Sequence, residues 1–185
     1  MTKARDLANG GFGLVLVKPS SVVNGTDNGK GTVSFSAAST VSLNDVFNST
    51  YTNYRILITI NDNASNPSDL LLRLRVSNAD ATGGNYRNHN TWINSSGALG
   101  NYGSGTASTA WYCGVQIAQT QGRGAIELYS PFLTQHTGLT GFGGGGDLAT
   151  VSGGRHTLDT SYTGFTIYAD AGTIDGTVSV YGYNK

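Results

Sequence analysis

The stretch YRILITI, residues 54–60, decides the fold class of this chain. Its even-numbered residues are one Tyr and three Ile, while Arg55 and Thr59 lie among the odd-numbered ones. A period of two is typical of a β-strand that buries one face and exposes the other. The stretch LLLRLRV, residues 70–76, has the same period with Arg73 and Arg75 on the outer face. Both stretches therefore predict half-buried strands.

Alternation of this kind recurs from residue 31 onward, and Gly and Asn turns separate the runs. The further runs are 32–37, 111–117, 126–128, 155–158, 165–169 and 178–183. About eight short strands joined by such turns predict an all-β protein, an antiparallel β-sandwich that is jelly-roll-like. One helical turn is predicted at 42–47, where Asn44 is placed to cap Val46 and Phe47.

Three segments exceed what a hairpin needs and are predicted to be loops. Residues 78–105 and 131–154 are long and rich in Gly, Asn, Ser and Thr, and residues 61–69 carry several Asn and Asp. Long loops in a compact domain are usually functional or disordered. We therefore expect binding residues in the two long ones.

The first thirty residues differ from the rest in composition and predict a separate element. A charged head is followed by a short apolar segment and a run of turn formers, while Gly10, Gly11 and Gly13 disfavour a helix. Residues 1–30 are predicted to be an extended N-terminal arm that docks on a partner, and residues 31–185 the sandwich; a disordered terminus is the alternative. The candidate anchor residues are Lys3, Arg5, Leu7, Leu14, Val15, Leu16 and Val17.

Charge and composition exclude several classes of protein. Eleven basic and eleven acidic side chains give a net charge of zero, and only 12% of residues are charged. A nucleic-acid-binding protein needs a basic surface, which this balance does not predict. No apolar run approaches the roughly 20 residues that span a bilayer, so no membrane insertion is expected. The low charge favours assembly with copies of itself or other proteins through neutral faces, with Leu71, Tyr181 and Tyr183 as candidate contacts.

Catalytic and metal chemistry find little support in the sequence. His89, His136 and His156 are the only histidines, and no G-x-S-x-G motif places a nucleophile beside one. Glu127 is the only glutamate and is expected in solvent or in an interface, so no carboxylate pair is selected for glycoside hydrolysis. Cys113 is the only cysteine, and no ligand spacing for zinc or an EF-hand is present. We therefore expect no enzyme, no cofactor and no metal.

Aromatic residues among polar neighbours in the long predicted loops are the candidate binding residues. Rigid amphipathic rings beside adaptable polar groups are typical of surfaces that bind sugars or proteins. The alternative is that Trp92 and Tyr102 fold inward and close the loop against the sandwich. The candidate contacts for a host glycan are Tyr86, Arg87, Trp92 and Tyr102.

Two ends of the chain carry a resemblance to a known group of proteins. The opening MTKARDLAN resembles the N-terminus of tailed-bacteriophage structural proteins, especially those of marine and cyanobacterial phages. The stretches VSFSAASTVSLNDVFNSTYTNYRILI and FTIYADAGTIDGTVSVYGYNK are similar to the β-rich modules of these virion proteins. Residues 61–154 carry no such resemblance, so no binding residue is transferred from the group.

The resemblance implies a location on the phage particle, in the tail or the capsid, and other virion proteins as partners. Such proteins are generally homotrimeric fibres, tail-tip pieces or head decorations. The leading hypothesis is a short trimeric tail fibre, an adhesin that is attached by its arm and contacts the host surface through the sandwich. The alternatives are a capsid decoration protein with no receptor role and a free carbohydrate-binding module.

Overall fold

The structure is a computed structural model, and it describes residues 13–63, 68–117 and 121–184. Within these ranges sixteen strands form two antiparallel sheets. The strands are β1 (Leu14–Val17), β2 (Ser21–Val23), β3 (Thr26–Asp27), β4 (Thr32–Ala38), β5 (Val41–Asn44), β6 (Asn53–Asn63), β7 (Ser68–Val76), β8 (Ala79–Asp80), β9 (Tyr86–Asn94), β10 (Leu99–Ser108), β11 (Trp111–Ile117), β12 (Gly122–Tyr129), β13 (Thr137–Gly145), β14 (Leu148–His156), β15 (Gly164–Ala169) and β16 (Ile174–Tyr183).

The large sheet has the strand order β10-β9-β14-β13-β12-β6-β16-β4-β3, and β1 also pairs with β16. The small sheet has the order β11-β7-β15-β5-β2, and β8 also pairs with β7. The inner faces of the two sheets pack on each other and enclose the core. The predicted all-β antiparallel sandwich is confirmed.

The core comes from the alternation that the sequence shows. Tyr54 and the isoleucines at 56, 58 and 60 are buried in β6, and the leucines at 70, 72 and 74 are buried in β7. Phe165 and Ile167 of β15 belong to the same core and lie beside the inner residues of β5 in the small sheet. Each fully buried Ile, Leu or Phe contributes about 1.5–3 kcal/mol by leaving water, so these positions hold the sandwich together.

The described part of the predicted arm differs from the expectation. Leu14–Val17 pairs with β16, Ser21–Val23 with β5, and Thr26–Asp27 with β4. Val17 is buried in the core. These residues therefore belong to the sandwich, because their backbone groups pair with its strands. The rest of the arm, residues 1–12, lies outside the described residues.

The two long predicted loops are hairpins in the structure. Residues 78–105 contain β8, β9 and most of β10, and residues 131–154 contain β13 and most of β14. β9 pairs with both β10 and β14, so these strands widen the large sheet. The loop prediction was wrong because Gly and Asn occupy inward positions where an apolar residue would have shown the alternation.

Glycines at inward positions let the small sheet approach the large one closely. A Cβ at Gly143 of β13 would lie 2.4 Å from the carbonyl oxygen of Gly114 in β11. Gly114 itself has a φ of 72°, which favours glycine. Packing against β11 thus explains the inward glycines Gly141 and Gly143 of β13.

The predicted helical turn at 42–47 is also wrong. Residues 41–44 form β5 and pair with β15. Asp45 then takes a positive φ of 56°, which turns the chain so that Val46 and Phe47 enter the core. In the described ranges no helix is long and apolar enough to cross a membrane.

Candidate functional site

The candidate glycan residues do not form one surface. Tyr86 is fully buried, its hydroxyl donates to the carbonyl of Ala81 at 2.8 Å, and it accepts from the amide of Leu74 at 3.0 Å. Burial raises the pKa of this phenol. Tyr86 therefore ties β9 to the small sheet instead of facing a ligand, which corrects its prediction as an exposed contact.

The other candidates of this group lie on both faces of the large sheet. Arg87 is half-buried and donates to the carbonyls of Gly84 and Tyr86 at 3.0 and 3.2 Å. Trp92 is half-buried in β9, opposite Gly100 of β10, where a Cβ would lie 2.1 Å from the indole ring. Tyr102 is opposite Asn90 in the register of β10 and β9, and its side chain lies outside the described atoms.

The candidate anchor residues divide in the same way. Lys3, Arg5 and Leu7 lie outside the described residues. Leu14 and Leu16 are opposite Tyr183 and Tyr181 on the outer face of the large sheet, Val17 is buried, and Val15 is exposed.

The three histidines differ in their surroundings, and only His136 has an acidic side chain beside it within the described residues. His156 is fully buried and is surrounded by the rings of Tyr86, Trp111 and Tyr162, with centroids at 4.5, 6.2 and 5.1 Å. Burial lowers its pKa to about 4, so the imidazole is neutral near pH 7. His89 and His136 are exposed, and His136 Nε2 lies 3.6 Å from Asp159 Oδ1.

A buried arginine organises the outer face of the small sheet. Arg75 forms an ion pair with Asp80 and donates to the carbonyl of Asn78. It also donates to three side chains at 2.8–3.1 Å, those of Ser42, Asn44 and Thr166. All of these acceptors belong to the chain itself, so the guanidinium has a structural role.

Tyrosines and an ion pair share the outer face of the large sheet where β12, β6 and β16 are neighbours. We call this the tyrosine surface and define it by Arg55, Glu127, Tyr129, Tyr181 and Tyr183. Arg55 Nε donates to Glu127 Oε1 at 2.6 Å, and the hydroxyl of Tyr183 donates to Glu127 Oε2 at 2.6 Å. Tyr129 is 41% exposed and its hydroxyl lies 3.0 Å from that of Thr140. The surface thus offers rings and polar groups in fixed positions.

Electrostatics follow from these contacts. The hydrogen bond to Glu127 raises the pKa of Arg55, and burial followed by the Glu127 contact raises the pKa of Tyr183. Arg55 stays charged, and Tyr183 keeps its proton as the donor. Glu127 was expected in solvent or in an interface, and it is nearly buried under these partners on the outer face.

An apolar surface adjoins the tyrosine surface on the same outer face. We define it by Leu57, Ile93, Leu99, Phe142 and Val151. Phe142 of β13 is opposite Val151 of β14 and is 57% exposed, while Val151 is 54% exposed. A shallow groove of about 350 Å³ is lined by four of these residues, Ile93, Leu99, Phe142 and Val151. All five residues are exposed to solvent, and together they form an apolar patch.

The sequence signalled only part of these two surfaces. Tyr181 and Tyr183 were predicted as outward contacts from their alternation, and both are half-buried on the outer face. Phe142 was noted only as an aromatic residue of a predicted loop. Tyr129 and Val151 were missed, because the pairing of the strands in residues 122–156 sets which side chains share the outer face. In the described ranges no three His, Cys, Asp or Glu residues are grouped so as to hold a metal ion.

Comparisons with known proteins do not place the chain in a family. No family model and no curated protein matches the chain. The SPRY domain of human HERC1 is 8% identical, with a TM-score of 0.41 over 92% of this chain and 98% of that one. The CBM2 module of the evolved Dit of Lactobacillus casei BL23 phage J-1 is 11% identical, with a TM-score of 0.36 over 93% and 90%. A fructofuranosidase from Schwanniomyces occidentalis is 8% identical, with a TM-score of 0.32 over 91% of this chain and 34% of that one. These scores are too low to carry an argument about function.

Proposed function

We propose that this chain is a non-catalytic structural protein of a tailed-phage particle, a short tail fibre or adhesin that binds host-surface glycan through the tyrosine surface. The observation that carries the binding proposal is the pair of 2.6 Å hydrogen bonds that hold Glu127 between Arg55 and Tyr183 on an outer face. The phage assignment rests on the resemblance of MTKARDLAN and of the two β-rich stretches.

The chemistry of the tyrosine surface fits a saccharide. Tyrosine rings present rigid apolar faces to the C–H faces of a sugar, and their hydroxyls bind its polar edge. The Arg55 side chain is 38% exposed and donates to sugar hydroxyls or to an acidic substituent, while the nearly buried Glu127 holds the guanidinium in place. Because Arg55 and Tyr183 already fix the carboxylate, little side-chain freedom is lost when a ligand binds.

The same contacts support a binding role in preference to catalysis. Glu127 is held by two donors, and the neutral His156 is enclosed by aromatic rings away from the surface. A general acid or base must reach the proton that it transfers. Neither group is placed for that task.

Attachment to the particle is proposed for the segment that precedes the sandwich. Leu14–Val17 is a strand of the large sheet, so the anchor proposal now rests on Lys3, Arg5 and Leu7. Homotrimeric assembly, which the resemblance implies, stays a prediction that the mass measurement described below decides.

The capsid decoration protein remains the alternative, and the exposed apolar surface favours it because a cement protein needs a large contact with its neighbours. Counting copies by quantitative mass spectrometry of purified particles separates the two. A fibre gives a small multiple of three or six copies, and a decoration protein gives hundreds.

Competition for the host tests the adhesin proposal directly. An excess of the purified full-length chain is expected to slow adsorption of the phage, and a Tyr129→Ala variant is expected to compete less. Unchanged adsorption at saturating protein, together with hundreds of copies per particle, would overturn the adhesin in favour of decoration.

A further inference from the structure

The centre of the apolar surface lies on β14, a strand whose outward residues are Ala149, Val151, Gly153 and Arg155. Val151 is opposite Thr91 of β9 and Phe142 of β13, so apolar atoms extend to both neighbouring strands. About half of the Val151 side chain remains in water. Exposed patches of this kind usually mark an interaction surface.

Gly153 is a second and independent observation on the same strand. It does not have a positive φ, and a Cβ built on it meets no atom within 4 Å. Nothing in the described chain therefore requires a glycine here, although glycine weakens a strand. A glycine on an open outer face is explained when another backbone approaches closely.

The charges at the two ends of β14 are opposite in sign. Asp147 precedes the strand, Arg155 lies near its end, and both are exposed. Neither belongs to an ion pair within residues 13–63, 68–117 and 121–184. Val151 lies midway between them, about 13–14 Å from each along the strand.

We propose that the apolar surface is the interface between two copies of this chain, related by a two-fold axis that passes between their two Val151 side chains. The axis runs parallel to the sheet, midway between the two facing surfaces and across the strands, so β14 stacks antiparallel on the partner's β14. Val151 and Phe142 then each meet their own counterpart, and Ala149 lies over Gly153 of the second copy. Asp147 faces Arg155 of the second copy at both ends of the strand.

Self-pairing explains all three observations with one partner. The order Asp147, Ala149, Val151, Gly153, Arg155 is self-complementary about its centre in both charge and size. A C2 interface requires this property, because the same patch forms both sides. Pairing of β10 edges would only extend the sheet and would leave Phe142 and Val151 in water, so stacking of faces is favoured.

The proposed interface leaves the tyrosine surface accessible. Because neighbouring strands are rotated by about 20–25°, the distance between the stacked sheets grows from β14 toward β6 and β16, and Leu57 of β6 lies at the margin of the interface. The dimer and the homotrimer that the resemblance implies exclude each other, and the mass of the protein decides between them. Glycan binding by the tyrosine surface is tested separately and depends on neither.

The first test is the mass of the full-length protein by light scattering, with Val151→Lys and the control Leu158→Lys. Leu158 is 44% exposed and lies outside the apolar surface. We expect twice 19.3 kDa for the wild type and for the control, and 19.3 kDa for Val151→Lys. A monomeric wild type, a trimer, or a Val151→Lys protein of unchanged mass would each overturn the proposal.

Three further variants test the interface if Val151→Lys fails to fold. At concentrations where the wild type is monomeric, Gly153→Val is expected to have a melting temperature no lower than that of the wild type. At higher concentrations Gly153→Val is expected not to dimerise. Arg155→Asp is expected to weaken dimerisation about 10-fold, and the double variant Asp147→Arg/Arg155→Asp to restore it, because the swap recreates both ion pairs. A double variant no better than Arg155→Asp, or a Gly153→Val protein that dimerises normally, contradicts the stacking.

Discussion

The hydroxyl of Tyr183 donates a 2.6 Å hydrogen bond to Glu127 across the outer face of the large sheet. β6 lies between their strands, and its Arg55 donates to the other oxygen of the same carboxylate at 2.6 Å. Three neighbouring strands are thus joined by side chains as well as by backbone. This tie gives the tyrosine surface a fixed geometry.

Removing the Tyr183 donor is expected to destabilise the fold slightly. Tyr183→Phe keeps the ring and loses one charge-assisted hydrogen bond, so the free energy of unfolding is expected to fall by about 1–2 kcal/mol. Urea denaturation measures it, with Tyr181→Phe as the control that changes little. Equal effects of the two variants would contradict the role of the hydrogen bond.

Arg75 is expected to be one of the most sensitive polar residues. Arg75→Met leaves Asp80 without its cation and removes the donor to Ser42, Asn44 and Thr166, so a loss of about 3–5 kcal/mol is expected. Arg73→Met is the matched control, because Arg73 stacks over Tyr168 at 4.6 Å and donates to Thr109 at the surface. A thermal melt in which the control loses as much would refute this account.

Two glycines of neighbouring strands are expected to respond in opposite ways to alanine. Gly143→Ala places a Cβ 2.4 Å from the carbonyl oxygen of Gly114, so the sheets must separate and the loss is expected to be about 2 kcal/mol or more. Gly153→Ala meets no atom of the chain and is expected to leave the stability of the monomer unchanged or slightly raised. Chemical denaturation at low protein concentration measures the free energy of unfolding of both variants. Similar losses of stability in the two variants would contradict this account of the packing.

His156 is expected to make the fold sensitive to acid. Its pKa is about 4 in the folded chain and 6.5 as the ordinary value, so both states are neutral above pH 6.5. As the pH falls from 6.5 to about 4, His156 binds a proton in the unfolded chain but not in the folded chain. The free energy of unfolding therefore falls by about 1 kcal/mol for each pH unit. His156→Gln is expected to lose this part of the slope in denaturation between pH 7 and 4.5. His136→Gln is expected to keep it, and an unchanged slope in His156→Gln would contradict the assignment.

The alternation in residues 54–60 and 70–76 was enough to predict the sandwich, because those strands bury one apolar face. It failed for β9, β13 and β14, whose inner faces carry Asn88, Asn90 and glycines such as Gly141. The close approach of β11 accounts for the glycines, and this contact depends on residues distant in sequence. Strands without an apolar period were therefore read as loops.

The binding residues were predictable only where local alternation placed them. Tyr181 and Tyr183 were recognised as outward residues, whereas Tyr86 was expected at the surface and is buried. Its hydroxyl finds partners at Ala81 and Leu74, which only the folded chain brings together. Phe142 and Val151 meet through strand register, which single-sequence patterns leave open.

Binding of the full-length protein to an array of bacterial surface polysaccharides tests the central claim most directly. Tyr129→Ala removes an exposed ring without touching the core, and Leu158→Ala serves as the control on another surface. We expect the wild type and the control to bind the same polysaccharide and Tyr129→Ala to bind it at least 10-fold more weakly. Absence of binding to every polysaccharide, or binding that Tyr129→Ala leaves unchanged, would contradict the tyrosine surface as the site of host contact.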